Sequence, residues 1–189
     1  MLKIQIILGS TRPNRLSEVV GRWIAGQAEK LKDVTVEILD LREYPMPFFN
    51  EPMPPSMLKG KYSDKVVSKW VKKVAEGDAY ILIAPEYNHG YPAVLKNALD
   101  YPYSEWNRKP VGFVSYGGVG GARSVEQLRQ IVIDLQMAPI RNSVNIMGVW
   151  QAFDDKGQPK DPKLNDFAKG FLDQLVWWGK ALKTARSSD

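Results

Sequence analysis

The chain has 189 residues, 44% hydrophobic and 25% charged, which suits one compact domain with a sizeable core over residues 1–189 and argues against a second. With no cysteine and one histidine, His89, it excludes disulfides, thiol catalysis, cysteine-ligated zinc and iron–sulfur clusters, and no metal site is expected. A net charge of +5 favours anionic ligands without choosing among them.

Residues Met1 to Leu8 read directly into a buried strand and lack the features of a signal peptide. No apolar run approaches the ~20 residues of a membrane span, so a cytoplasmic protein is expected. Neither a nucleic-acid motif nor a concentrated Lys/Arg run is present, and no nucleic-acid partner is expected.

Short apolar runs at Lys3–Leu8, Val34–Asp40, Ala79–Ala84, Pro110–Ser115 and Arg141–Ile146 read as strands covered on both faces. Between them, Leu16, Val19, Val20, Trp23, Ile24, Gln27 and Leu31 fall mostly at helical spacing, as do Val66, Val67, Trp70, Val71 and Val74. A shorter helix follows Pro92, and another runs from about Arg123 to Met137 with Val125, Leu128, Val132 and Leu135 inward. The closing helix, Pro162 to about Ala185, carries Leu164, Ala168, Phe171, Leu175, Trp178 and Leu182 on one stripe. This alternation predicts a doubly wound, five-stranded parallel sheet between two helical layers, in the order 2-1-3-4-5. Tyr44–Pro55, with five prolines and Phe48-Phe49, breaks the pattern. It reads either as a surface loop with two aromatics tucked beneath it or as a lid or subunit contact.

In such a sheet, ligands sit beyond the carboxyl ends of the strands, where three loops stand out. The first, Gly9 to Ser17, gathers Ser10, Thr11, Arg12, Arg15 and Ser17 at a helix start, as a phosphate cradle would; the alternative is a plain helix cap with solvated arginines. The second, Pro85-Glu86-Tyr87-Asn88-His89-Gly90, offers aromatic faces and an amide to a planar ring, or else a packing cluster. His89 is either a solvent-facing or loop-bracing histidine or a residue on the rim of the ring site. The third, Ser115-Tyr116-Gly117-Gly118-Val119-Gly120-Gly121, lets backbone N–H groups approach a ligand closely, or serves as a tight turn. Neither the Gly-x-Gly-x-x-Gly nor the Gly-x-x-x-x-Gly-Lys motif stands at the first loop.

Gly-Ser-x-Arg after the first strand, Pro-Glu-Tyr-Asn followed by Leu95-Lys96-Asn97-Ala98-Leu99-Asp100, and Ser-x-Gly-Gly-x-Gly-Gly-Ala-Arg resemble the NAD(P)H-dependent FMN reductase family over about residues 3 to 150. The relatives of that family include quinone, chromate and azo-dye reductases. The resemblance implies a flavodoxin-like fold and FMN with its phosphate at Ser10, Thr11, Arg12 and Ser17. The ring would lie beside Pro85, Glu86, Tyr87 and Asn88, its polar edge meeting Ser115, Gly117, Gly118 and Gly121. It further implies hydride transfer from NAD(P)H through FMN to a small electron acceptor by ping-pong kinetics, with no catalytic acid or base, in a homodimer or dimer of dimers. A non-catalytic flavin-binding electron carrier is the alternative. A serine hydrolase is disfavoured, because Gly112-Phe113-Val114-Ser115-Tyr116-Gly117 has the wrong elbow spacing and the histidine precedes the serine.

Overall fold

The computed structural model describes residues 1–188. Strands β1 (Leu2–Leu8), β2 (Val34–Asp40), β3 (Ala79–Pro85), β4 (Pro110–Gly117) and β5 (Ala138–Met147) form one all-parallel sheet in the order β2-β1-β3-β4-β5. β1, β3 and β4 are buried almost throughout, which is why they read as continuous apolar runs rather than alternating ones. Helices α1 (Ser17–Ala28) and α7 (Lys163–Arg186) cover one face; α3 (Lys65–Ala75), α4 (Ala93–Asp100) and α5 (Ala122–Asp134) cover the other. Two short helices, α2 (Pro55–Leu58) and α6 (Val149–Ala152), sit in the connections. This is the flavodoxin-like arrangement expected.

The first face packs Trp23, Ile24, Phe171 and Leu175 against the sheet; the second packs Trp70, Trp106, Tyr80 and Phe113. Their buried polar ends are all answered, since Trp70 Nε1 donates to the Ala98 carbonyl at 2.8 Å and Trp106 Nε1 to Leu99 at 3.2 Å.

Three details differ from the pattern read in the sequence. β5 begins at Ala138 rather than Arg141, and its pairing with β4 shifts register between Val111 and Phe113, so its start does not show the simple apolar run of the inner strands. α5 stops at Asp134, although Leu135 and Met137 remain buried beyond it, because Gln136 turns the chain with φ of +55°. Trp178 is 38% exposed: the inward stripe of α7 continues through Gly179, where a Cβ would stand 2.7 Å from Leu2 Cδ2. That close approach rotates Trp178 to the side.

Within Tyr44–Pro55 the two phenylalanines part company. Phe49 packs on the Tyr101 ring with centroids 5.2 Å apart, and its N–H donates to Asn97 Oδ1 at 2.9 Å, whereas Phe48 is 77% exposed. Asn97 Nδ2 and Tyr101 Oη both donate to the Pro47 carbonyl, at 2.7 and 3.1 Å, and anchor the segment to α4.

Polar groups cluster at the amino ends of the strands. Lys183 Nζ, on α7, donates to Asp78 Oδ2 at 2.6 Å and to the Met1 carbonyl at 2.8 Å, and Arg186 donates to the Arg108 carbonyl at 2.7 Å. Beside them the buried Lys109 Nζ donates to Tyr80 Oη and the Ala75 carbonyl, both at 3.1 Å. Nearer the sheet edge, Glu37 on β2 joins Lys3 on β1 and Lys73 on α3, at 2.8 and 2.9 Å, and Glu76 closes the group. No helix among the described residues is long and apolar enough to cross a membrane.

Candidate functional site

At the carboxyl ends of β1, β3, β4 and β5 the loops enclose an open cavity of about 300 Å³. The β1–α1 loop contributes Ser10, Arg12, Pro13, Asn14, Arg15 and Leu16; the loop after β3 contributes Glu86 and Tyr87 beyond Pro85; β4 and its glycine loop contribute Tyr116, Gly117 and Gly118. Val149 and Trp150, from α6, complete the wall. The three loops singled out in the sequence therefore meet at one place, as the strand-end rule requires.

The β1–α1 loop is held from several sides. Ser10 Oγ and Tyr87 Oη share a hydrogen bond of 2.5 Å, and the Arg12 guanidinium lies over the Tyr87 ring, 5.4 Å from its centre. Arg15, buried, donates from Nη1 to the Ser10 carbonyl and to Asp40 Oδ1, each at 2.7 Å, and its Nη2 reaches Asp40 Oδ2. Arg15 thereby holds the Asp40 carboxyl below its usual range, although burial opposes it. No side chain caps the N-terminus of α1, whose first N–H groups have no intrahelical acceptor. The Ser17 hydroxyl there is buried beside the Tyr116 phenol yet makes no hydrogen bond of proper geometry. Burial pushes the Tyr116 phenol up to about 12, despite the opposing influence of Ser17 and Arg15.

In the second loop, Tyr87 and Gly90 exchange backbone hydrogen bonds at 2.8 and 3.0 Å around Asn88 and His89, whose φ values are +48° and +76°. This is a two-residue turn of the primed type, and asparagine is among the residues that tolerate it. Asn88 and His89 sit exposed at its tip, and the His89 carbonyl accepts from Gln127 Nε2 at 3.0 Å. Glu86 is turned inward, one oxygen receiving Arg123 Nη1 at 2.8 Å and the other buried without a partner.

The third loop separates into a front and a back. A Cβ on Gly118 would meet nothing within 4 Å, so its backbone faces open space. Gly121, with φ of +75°, leaves no such room: a Cβ there would lie 2.7 Å from both Ser115 Cβ and the Tyr116 nitrogen. Ser115 Oγ, fully buried, donates to the Gly120 carbonyl at 2.7 Å and receives Asn145 Nδ2 at 2.8 Å.

Of the residues expected at the site, Ser10, Arg12, Pro85, Glu86, Tyr87, Gly117 and Gly118 line the cavity. Thr11, Ser17, Asn88, Ser115 and Gly121 do not: Ser17 lies beneath the helix start, Ser115 and Gly121 brace the glycine loop from behind, and Thr11 and Asn88 are exposed beside it. Pro13, Asn14, Arg15, Leu16, Tyr116, Val149 and Trp150 line the cavity besides those expected. Trp150 follows the carboxyl end of β5, and the rule that pointed to the other loops was the available signal for it.

Residues 2–151 match the model of the NADPH-dependent FMN reductases. The chain belongs to that family. The reductase is 38% identical over 135 residues to an NAD(P)H-dependent FMN reductase of Schizosaccharomyces pombe, covering 71% of this chain and 68% of that one. It is 30% identical over 186 residues to a quinone reductase of Pseudomonas putida, covering 94% of each. Among solved structures, the flavoenzyme NAD(P)H:(acceptor) oxidoreductase FerB of Paracoccus denitrificans superposes with a TM-score of 0.79 at 24% identity, over 96% of this chain and 98% of that one. At that identity the likeness speaks for the fold.

Proposed function

We propose that the reductase binds FMN in the strand-end cavity and passes a hydride from NAD(P)H to a small acceptor: a quinone, azo compound, chromate, ferric complex or free flavin. The observation that carries this reading is the uncapped start of α1, opening next to a cavity walled by Tyr87, Tyr116 and two glycines. An anion fits the former and a planar ring the latter.

The phosphate would be held by the N–H groups of the helix start with Ser10, Thr11, Arg12 and Ser17, and the ring by Pro85, Glu86, Tyr87 and Asn88. Backbone N–H groups at Gly117 and Gly118 would meet its polar edge, while Ser115 and Gly121 support that loop. When bound, FMN supplies the hydride-accepting and hydride-donating chemistry. The residues around it would orient the ring, and the N–H groups of the glycine loop would favour negative charge at its polar edge. Trp150, 65% exposed at the cavity wall, would offer its ring face to a second flat molecule. One opening serves donor and acceptor in turn, so ping-pong kinetics follow, and no side chain acts as acid or base. The chain works as a single domain in the cytoplasm and as a homodimer or dimer of dimers, which sedimentation equilibrium checks.

The deciding experiment is an absorption spectrum of the flavin-reconstituted protein followed by NADPH or NADH without air. Bound FMN that bleaches supports the reading and shows the preferred nicotinamide. FMN that stays yellow makes the protein an electron carrier; no retained flavin ends the proposal.

A further inference from the structure

The β1–α1 loop is gripped by its carbonyl groups. Arg15 Nη1 holds the Ser10 carbonyl at 2.7 Å, Arg42 Nε holds that of Thr11 at 3.3 Å, and Arg42 Nη2 holds that of Arg12. Both arginines converge on one carboxylate. Asp40 takes the Arg15 fork with both oxygens and also accepts the Arg42 backbone N–H at 2.9 Å. The fold explains the meeting: Asp40 is the last residue of β2 and pairs in register with Leu8, the last of β1, so the carboxylate stands where the loop leaves the sheet. Asp40 also caps the short 3-10 turn Leu41–Glu43 that carries Arg42.

We infer that Asp40, Arg15 and Arg42 form a strap that presets this loop for the anionic end of the ligand. The inference rests on the flavin reading above. Across a planar trans peptide the carbonyl and the next N–H point in opposite directions. Fixing the directions of the Ser10 and Thr11 carbonyls therefore fixes those of the Thr11 and Arg12 N–H groups, and the Arg12 N–H is directed at Ser10 Oγ, 3.4 Å away on the cavity wall. The Arg12 carbonyl precedes Pro13, which has no N–H, so that bond positions the root of the Arg12 side chain. Asp40 and Arg42 do not line the cavity; they are positioning residues. Arg15 borders it, but both its terminal nitrogens are engaged by Asp40 and Ser10.

The test uses full-length Arg42→Ala and Arg42→Lys, since Arg42 is exposed and its loss does not open the core. Lysine keeps the charge but lacks the planar fork that reaches two carbonyls. FMN and riboflavin affinities are measured by fluorescence titration, and amide exchange over residues 10–16 is followed in the flavin-free protein. Both variants are expected to lose FMN affinity by about tenfold or more, keep riboflavin within about twofold, and exchange the loop amides faster. Rescue by lysine would make Arg42 a distant charge rather than a strap. Unchanged exchange, or equal loss of both flavins, would also overturn the inference. Failure of the wild type to hold any FMN sinks the flavin reading alone, and exchange then decides whether the strap orders the loop.

Discussion

Gly118 and Gly121 stand three positions apart and answer differently to one added methyl group. Gly121→Ala forces a Cβ into contacts of 2.7 Å at a φ of +75°, and is expected to cost about 1–3 kcal/mol, read as a lowered melting temperature. Gly118→Ala meets nothing, so its melting temperature is expected to hold while flavin binding weakens through the side chain now standing over the loop. In the sequence the glycines of this loop look alike; only the packing of Ser115 against the turn assigns them separate duties. Lys109 carries another residue-scale consequence. Burial, helped by Arg186, brings its ammonium down to about 8. Because the folded value lies below the unfolded one, the unfolded chain binds the extra proton above pH 8, and this group's contribution to stability rises with pH from about 8. Tyr80, whose phenol burial pushes well above 10, reverses the trend above pH 10. Urea midpoints are expected to rise between these limits in the wild type and to stay flatter in Lys109→Met.

The elements bring together charges that the sequence scatters. Lys3, Glu37, Lys73 and Glu76 come from β1, β2, α3 and its exit, and only the Lys73–Glu76 pair, three residues apart, follows from a spacing rule. Burial alone would raise the Glu37 carboxyl, but hydrogen bonds from Lys3, Lys73 and Gln5 outweigh it and bring it to about 2, against 4.5 for a free glutamate. The stability it contributes is thus complete above pH 4.5 and is lost as pH falls toward 2. Wild type and Glu37→Gln are expected to differ in stability at neutral pH and to converge in acid, as denaturant titrations at several pH values would show. The closing helix gives a parallel case. Gly179 lets α7 approach Leu2, where an added Cβ would stand at 2.7 Å, so Gly179→Val is expected to destabilise by about 2–4 kcal/mol. Periodicity placed α7 correctly but turned it slightly wrong, since hydrophobicity counted Trp178 inward and could not register a glycine as a contact point.

At the scale of the whole molecule, strand order and layering were legible because buried parallel strands announce themselves as unbroken apolar runs. The meeting of three loops at one cavity was legible because glycine, hydroxyl and aromatic residues follow three of those runs. What the sequence concealed was the side of each loop that faces the cavity. Ser115 and Gly121 carry motif identity yet work from behind, while Tyr116 and Trp150 stand at the cavity without a motif. Such distinctions depend on distances between segments, which no local pattern contains. The anchoring of α7 has a practical side as well. Lys183 and Arg186 end that helix on Asp78 and Arg108, at the amino ends of the strands, whereas the cavity opens at their carboxyl ends. A tether attached after α7 would therefore hold the molecule by the pole remote from its opening. On an electrode or a bead the mouth of the cavity would face the bulk solution.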